Sequence, residues 1–314
     1  MDHRKLHGYV EKYKKKLKSD RKSKNTILSY NTCLNDFLSF IKDTYEGEFE
    51  LKDATMDYID SLSGELKVGS INTKRSGIRS FISFLYERDY IKEDFSHYIK
   101  NLKNNRKQID ILEPEEIKLL INYLTDELKK AKGYNIYPKA RNLTLIIFML
   151  YTATRRGEVV NVKFSDIDFI NNEIRILGKG NKERIVPLRQ EVKDSLYNFR
   201  DIIEKLHNAD YNVKSDYVFR SERVNPQTGL KDSPMTARNV LKIVKNSCKK
   251  AGIEKNITAH SLRHIFASYA IQSNVNLRAL SDILGHSNTS TTLDIYSHVI
   301  SNELKKQEMN KLEY

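Results

Sequence analysis

Along the first hundred positions, apolar residues recur at the three- and four-residue steps of a helix face. Leu6, Tyr9, Val10, Tyr13 and Leu17 define an opening helix whose opposite face is crowded with lysine. Thr26 is placed to cap a second helix, with Ile27, Tyr30, Leu34, Phe37, Leu38 and Ile41 turned inward. A short third helix is expected near Met56 to Leu62. Ser70 opens a fourth, which buries Ile71, Ile78, Phe81, Ile82 and Leu85 and projects Lys74, Arg75 and Arg79 elsewhere.

The pattern lapses between Lys100 and Leu112, where NLKNNRKQIDI is polar, basic and poor in periodic apolar residues. A linker at 108–112 is therefore expected, between a helical domain at 1–107 and a second domain at 113–300, with a tail at 301–314. Glu113-Pro114-Glu115-Glu116 has the features of a helix start: proline in the first turn and acids at the positive end of the dipole. An apolar helix around Leu143 to Tyr151 follows, then alternating segments at Ile167 to Phe169, Glu173 to Leu177 and Arg184 to Leu188. Asn171-Asn172 and Gly178 to Asn181 supply turns between strands, so a small antiparallel sheet is expected. Helical periodicity then returns to the end. The fold class is mainly α with one small antiparallel sheet.

Charge narrows the choice of partner. Of the 314 residues, 54 are Lys or Arg and 41 Asp or Glu, and the formal charge of +13 concentrates polyanions near the surface. Double-stranded DNA is the leading partner, with Lys74, Arg75 and Arg79 placed to meet it; a solvated basic face is the competing reading. Cys33 and Cys248 stand far apart without metal-ligand neighbours, which argues against a disulfide framework or a zinc site and fits a reducing cytoplasm. No stretch approaches a signal-peptide core or a membrane span, so a cytoplasmic protein away from the membrane is expected.

Candidate chemistry lies in the second domain. In Thr258-Ala-His260-Ser-Leu-Arg263-His264, His260 and Arg263 are three residues apart, share a helix face and can present donors to one anion. Upstream lie Thr152-Ala-Thr-Arg155-Arg-Gly-Glu158 and Gly178-Lys179-Gly-Asn-Lys182-Glu-Arg184. Downstream lie Leu284-Gly285-His286 and Thr291-Thr292-Leu-Asp-Ile-Tyr296-Ser-His298. In this order, from about Leu112 to Val299, the motifs resemble the catalytic domain of the tyrosine recombinase and phage integrase family.

The resemblance implies that Arg155 and Arg263 are the two catalytic arginines, Lys179 the lysine of the strand-to-strand turn and Tyr296 the nucleophile, with His260 and His286 completing the site. It also implies a helical core-binding domain at 1–107 that clamps the duplex, and a homo-oligomer, a tetramer on two DNA sites, with accessory proteins as further candidate partners. Lys182 and Arg184 are additional expected DNA contacts. The chemistry suits these residue types. Two guanidinium forks can neutralise the charge that develops on non-bridging phosphate oxygens, and an imidazole can assist loss of a phenolic proton whose ordinary pKa is about 10. Lys179 is a general-acid candidate for the leaving 5′ oxygen, with Lys182 as its rival. Because a phosphotyrosine bond conserves the energy of the broken phosphodiester, neither cofactor nor metal is expected, in keeping with the missing Walker motif.

Glu158 is expected to orient an arginine, and His264 and His298 to make structural hydrogen bonds. Ala153 departs from the glycine usual in the family's Thr-Gly-x-Arg turn. The ten-residue step from His286 to Tyr296 is one longer than in Xer-type resolvases, whereas GKGNKER at 178–184 is Xer-like. At this length no arm-site DNA-binding domain is expected. A type IB topoisomerase and a non-catalytic DNA-binding protein are the alternatives.

Overall fold

Amphipathic helices of this kind gain stability only by burying their apolar stripes against one another, and the computed structural model pairs them in two separate cores. It describes residues 1–64, 66–103, 110–178, 180–207, 216–223, 227 and 232–309. The chain divides into Met1–Lys107 and Gln108–Tyr314.

In the first unit α1 (His3–Ser19), α2 (Lys24–Thr44), α3 (Leu51–Ser61) and α4 (Val68–Glu87) enclose Leu6, Val10, Leu34, Phe37, Ile41, Ile78, Phe81, Ile82 and Leu85. The expected faces are the buried ones, but three starts differ. Helix α2 begins one turn earlier than Thr26, because Ser23 accepts the Thr26 N–H at 3.1 Å and is the cap. Helix α3 begins at Leu51, not near Met56, since Leu51, Ala54 and Thr55 also face the core. Helix α4 begins at Val68 behind Lys67, two residues ahead of Ser70.

The second unit is organised by α6 (Ile136–Thr152), which is apolar nearly all round and buries residues from Tyr137 to Thr152. Around it pack α5 (Pro114–Lys129), α8 (Gln190–His207) and α10 (Ala259–Gln272). The Glu116 carboxylate accepts the Glu113 N–H at 2.7 Å, closing the first turn of α5 where the Pro114 motif placed it. Strands β1 (Ile167–Asp168), β2 (Glu173–Leu177) and β3 (Glu183–Pro187) form one antiparallel sheet in that order. Ile174 pairs with Val186 and both face the core. The third strand runs one residue earlier than expected. Helices α7 (Arg156–Val159), α9 (Ala237–Lys250), α11 (Leu277–Leu284) and α12 (Thr289–Met309) complete the unit. A satellite core joins Ala153, Ala267, Ile271, Leu280, Leu284 and Tyr296. No described helix is long and apolar enough to cross a membrane.

Phe81 is fully buried in the first core, so Phe81→Ala should destabilise by about 3–5 kcal/mol. Hydrogen exchange should show the loss concentrated in residues 1–103; equal loss throughout 110–309 would contradict two separate cores.

Candidate functional site

A helix ends with carbonyls that lack intrahelical partners and carry the negative end of its dipole. Two such ends meet here, and arginines fill both. Helix α6 ends at Ala153 (φ 51°, ψ 25°) and α11 at Gly285 (φ 62°, ψ 45°), each in the left-handed region that stops a helix. From α10, Arg263 is 3% exposed and reaches both ends. Its Nη1 donates to the Ala153 carbonyl at 2.8 Å, and its Nη2 to the Leu284 carbonyl and to His286 Nε2 at 3.0 Å. The carbonyls on either side of Leu284 take other arginines: Arg184 Nε donates to Ile283 at 2.8 Å and Arg155 Nη2 to Gly285 at 3.3 Å. Burial and the neighbouring Arg155 bring the Arg263 pKa down to about 10, which leaves it charged at neutral pH.

Glu158, 6% exposed, balances this charge. Its Oε1 accepts from Arg155 Nη1 at 2.8 Å and Arg184 Nη1 at 3.1 Å. Its Oε2 accepts from Arg184 Nη2 at 2.8 Å and the Arg155 backbone N–H at 2.9 Å. Burial alone raises a carboxyl's pKa, but hydrogen bonds from Arg184 and the Arg155 backbone outweigh it and hold Glu158 below the usual range. Two features favour glycine at 285. Its φ is positive, and a Cβ there would lie 3.1 Å from Cδ and Nη1 of Arg184. Ala153 adopts a left-handed conformation at a cost of about 1–2 kcal/mol, partly offset by burying its methyl group in the cluster that contains Tyr296.

His286 lies between Arg263 and α12. Its Nδ1 is 2.8 Å from Thr292 Oγ1, and Thr292 precedes Tyr296 by one helical turn on the same face. With Nε2 accepting from Arg263, the ring is the neutral Nδ1–H form, and burial beside Arg263 and Arg155 lowers its pKa to about 4. His260 is on the exposed side of α10, and burial and Arg263 lower its pKa. Tyr296 is 4% exposed; burial raises its phenol to about 12 against the pull of Arg263.

Arg155, His260, Arg263, His286 and Tyr296 are therefore assembled by α6, α7, α10, α11 and α12. Lys179 lies outside the described residues, although its neighbour Gly178 enters the site region: a Cβ there would sit 3.6 Å from Glu158 Oε1. Lys182 is exposed, and its carbonyl accepts the Gly178 N–H at 2.7 Å. The other expected DNA contacts have partners within the chain. Arg184, an expected DNA contact, spends three N–H donors on Ile283 and Glu158, and its side chain is 11% exposed. On α4, Lys74 pairs with Asp36, Arg75 donates to the Lys100 carbonyl at 2.6 Å, and Arg79 Nε donates to Ile99 at 2.8 Å. Asn72 exchanges two bonds with Leu102, so this face of α4 holds the chain segment 99–102. Sequence reading also missed Thr292 as the partner of His286 and Arg184 as the second partner of Glu158. The four-residue step from Thr292 to Tyr296 was the available signal for the first.

Residues 110–303 match the model of the phage integrase family and residues 10–89 that of the phage integrase N-terminal SAM-like domain. The chain is 29% identical to tyrosine recombinase XerD of Staphylococcus haemolyticus, covering 95% of this chain and 96% of the relative. It is 32% identical to a tyrosine recombinase of Pseudothermotoga lettingae, covering 93% of each. Among solved structures, the XerH recombinase bound to a palindromic difH substrate matches with TM-score 0.69 and 24% identity, over 90% of this chain and 78% of that one. The Tn1549 transposon integrase in complex with transposon right end DNA matches with TM-score 0.68 and 18% identity, over 99% of each.

Glu158→Ala would leave two arginines facing each other with no carboxylate between them. We expect a loss of about 3 kcal/mol in denaturant unfolding, the low end for a broken buried pair because Arg155 keeps contact with water. A change below about 0.5 kcal/mol would contradict its role as the hub. Acid should also destabilise this unit. His264 is 5% exposed, and burial next to His260 holds its pKa at about 4, whereas in the unfolded chain it is about 6.5. The unfolded state alone binds the proton between these values. The stability from a neutral His264 is thus complete above about pH 6.5 and lost as pH falls toward 4. Thermal unfolding of His264→Phe should depend less on pH across that window; an unchanged slope would contradict the shift.

Proposed function

The chain belongs to the phage integrase family and is a tyrosine recombinase, and from that premise we propose that it cleaves and rejoins duplex DNA at specific sites through a 3′-phosphotyrosine bond made by Tyr296. One observation carries this reading: Arg155, Arg263 and His286 are hydrogen-bonded together at the end of α11, beside the helix that carries Tyr296, and His260 is joined to Tyr296 through His264. Arg263 uses three of its five N–H donors on Ala153, Leu284 and His286 among the described residues, which leaves two for an anion. Arg155, 40% exposed in its side chain, adds others. A scissile phosphate bound here has its non-bridging oxygens against two fixed guanidiniums as charge develops on them.

In this reading the Tyr296 oxygen bonds to phosphorus, the bond to the 5′ oxygen breaks, and that oxygen takes a proton from Lys179. Tyr296 must lose its own proton during attack, since burial favours the neutral phenol, and His260 is the imidazole on the open side of the site. So little of Tyr296 is exposed that attack also requires a local shift of α12. His286 acts as a buttress: with Nε2 on Arg263 and Nδ1 on Thr292, it ties the arginine to the nucleophile's helix.

We read the working form as a homo-oligomer on two DNA sites. A groove of about 700 Å³ in the second unit is lined by Ile117, Ile121, Leu150, Phe266, Leu280 and Ile283. In this reading it receives the sparse apolar set Leu304, Met309 and Leu312 from the tail of a second copy. Removing residues 302–314 should reduce cooperative DNA binding and strand exchange, and undiminished exchange would exclude the docking.

A nicked suicide duplex should trap a covalent complex through Tyr296. Tyr296→Phe should bind DNA within about tenfold of the parent, about 1.4 kcal/mol, yet form no adduct. An adduct from Tyr296→Phe would sink the assignment. Lys179→Ala should slow cleavage by roughly 10²- to 10⁴-fold. A bridging 5′ sulfur, which leaves without a proton, should restore this variant but not Arg155→Ala. Rescue of Lys182→Ala instead would transfer the general-acid role to Lys182.

A further inference from the structure

Helix α10 carries a second imidazole, a buried one, that the chemistry above does not use. His264 is one turn beyond His260, with 2.8 Å between their Nε2 atoms and their rings at 81° with centroids 4.3 Å apart. Its other side meets the nucleophile: the ring centroids of His264 and Tyr296 are 5.3 Å apart at 57°. An apolar ring would fill that space at no cost in desolvation, whereas a 5% exposed imidazole is penalised unless its nitrogens are used. Its Nε2 is used, and the partner is His260.

We propose that His264 is a positioning residue for strand cleavage, fixing the ring of His260 through the Nε2–Nε2 hydrogen bond while its ring packs against that of Tyr296. The inference rests on the recombinase reading of the same site. Two neutral imidazoles sharing that bond hold one proton between their Nε2 atoms, which makes their tautomers opposite and fixes the orientation of both rings. When His260 gains a second proton, its Nε2–H must donate, and the bare Nε2 of His264 is the acceptor in place. His264 thus supports the charged form of His260 much as a buried carboxylate supports the histidine of a hydrolase triad. Arg263, Arg155 and Arg156 surround His260 with positive charge and oppose that form, which makes an acceptor on its far side more consequential. Sequence spacing alone put His264 on the helix of His260 but could not show that it touches both His260 and Tyr296.

The test uses the full chain, a nicked suicide duplex and three variants. His264→Phe keeps a ring beside Tyr296 and loses the nitrogen. His264→Gln places an amide near the Nε2 position, and His264→Asn stops short of it. His264→Phe should bind DNA like the parent and trap adduct roughly 10- to 100-fold more slowly, the usual effect of losing an orienting partner. His264→Gln should recover about tenfold of that rate and His264→Asn should not. His264→Phe trapping at the parent's rate would overturn the inference. So would equal rates for His264→Gln and His264→Asn, a comparison that also decides the matter if His264→Phe does not fold. A parent protein that traps no adduct would remove the recombinase reading and this inference together.

Discussion

Unsatisfied carbonyls at the end of α11 hold this site together. Ile283, Leu284 and Gly285 each offer an oxygen with no partner inside the helix, and Arg184, Arg263 and Arg155 each take one. The C-terminus of α6 adds the Ala153 carbonyl, so Arg263 bridges two helix ends that are distant in sequence. Three guanidiniums would repel one another in a bare pocket. The negative ends of two helix dipoles and the buried Glu158 carboxylate make their proximity favourable. All three spend donors on this scaffold, and Arg155, with its side chain 40% exposed, is the most open of them to solvent.

The same constraint reaches the nucleophile. His286 follows directly on the α11 end, accepts from Arg263 and meets Thr292, so the segment that terminates the helix also fixes the helix carrying Tyr296. On the other side, Tyr296 rests against His264, which holds His260. The arginines, the histidines and the tyrosine therefore form one connected network, and a change at Gly285 or Glu158 would reach residues it does not touch.

Much of this was legible in the sequence, for reasons that also mark the limit. The buried faces of α1, α2 and α4 follow from periodicity, because burying an apolar stripe dominates helix packing. The turn and capping signals placed β2 and the start of α5 correctly. The motifs singled out His260, Arg263 and Tyr296, and α10 carries the first two of them three residues apart. Sequence could not show which polar side chains would find partners inside the chain. Arg75, Arg79 and Arg184 resemble free surface cations until the carbonyls of residues 99, 100 and 283 are seen beside them. Such pairings join residues 20 to 99 positions apart and leave no periodic trace.

The central claim is that the DNA-free protein already holds its arginines in place through these carbonyls. The most direct measurement is nitrogen NMR of the Arg263 guanidinium in the full chain without DNA. Fixed by Ala153 on Nη1 and Leu284 and His286 on Nη2, the group should give two distinct Nη signals in slow exchange, unchanged in number when duplex DNA is added. A single averaged Nη signal in the free protein, splitting only on DNA binding, would show that DNA assembles the site and would contradict the account.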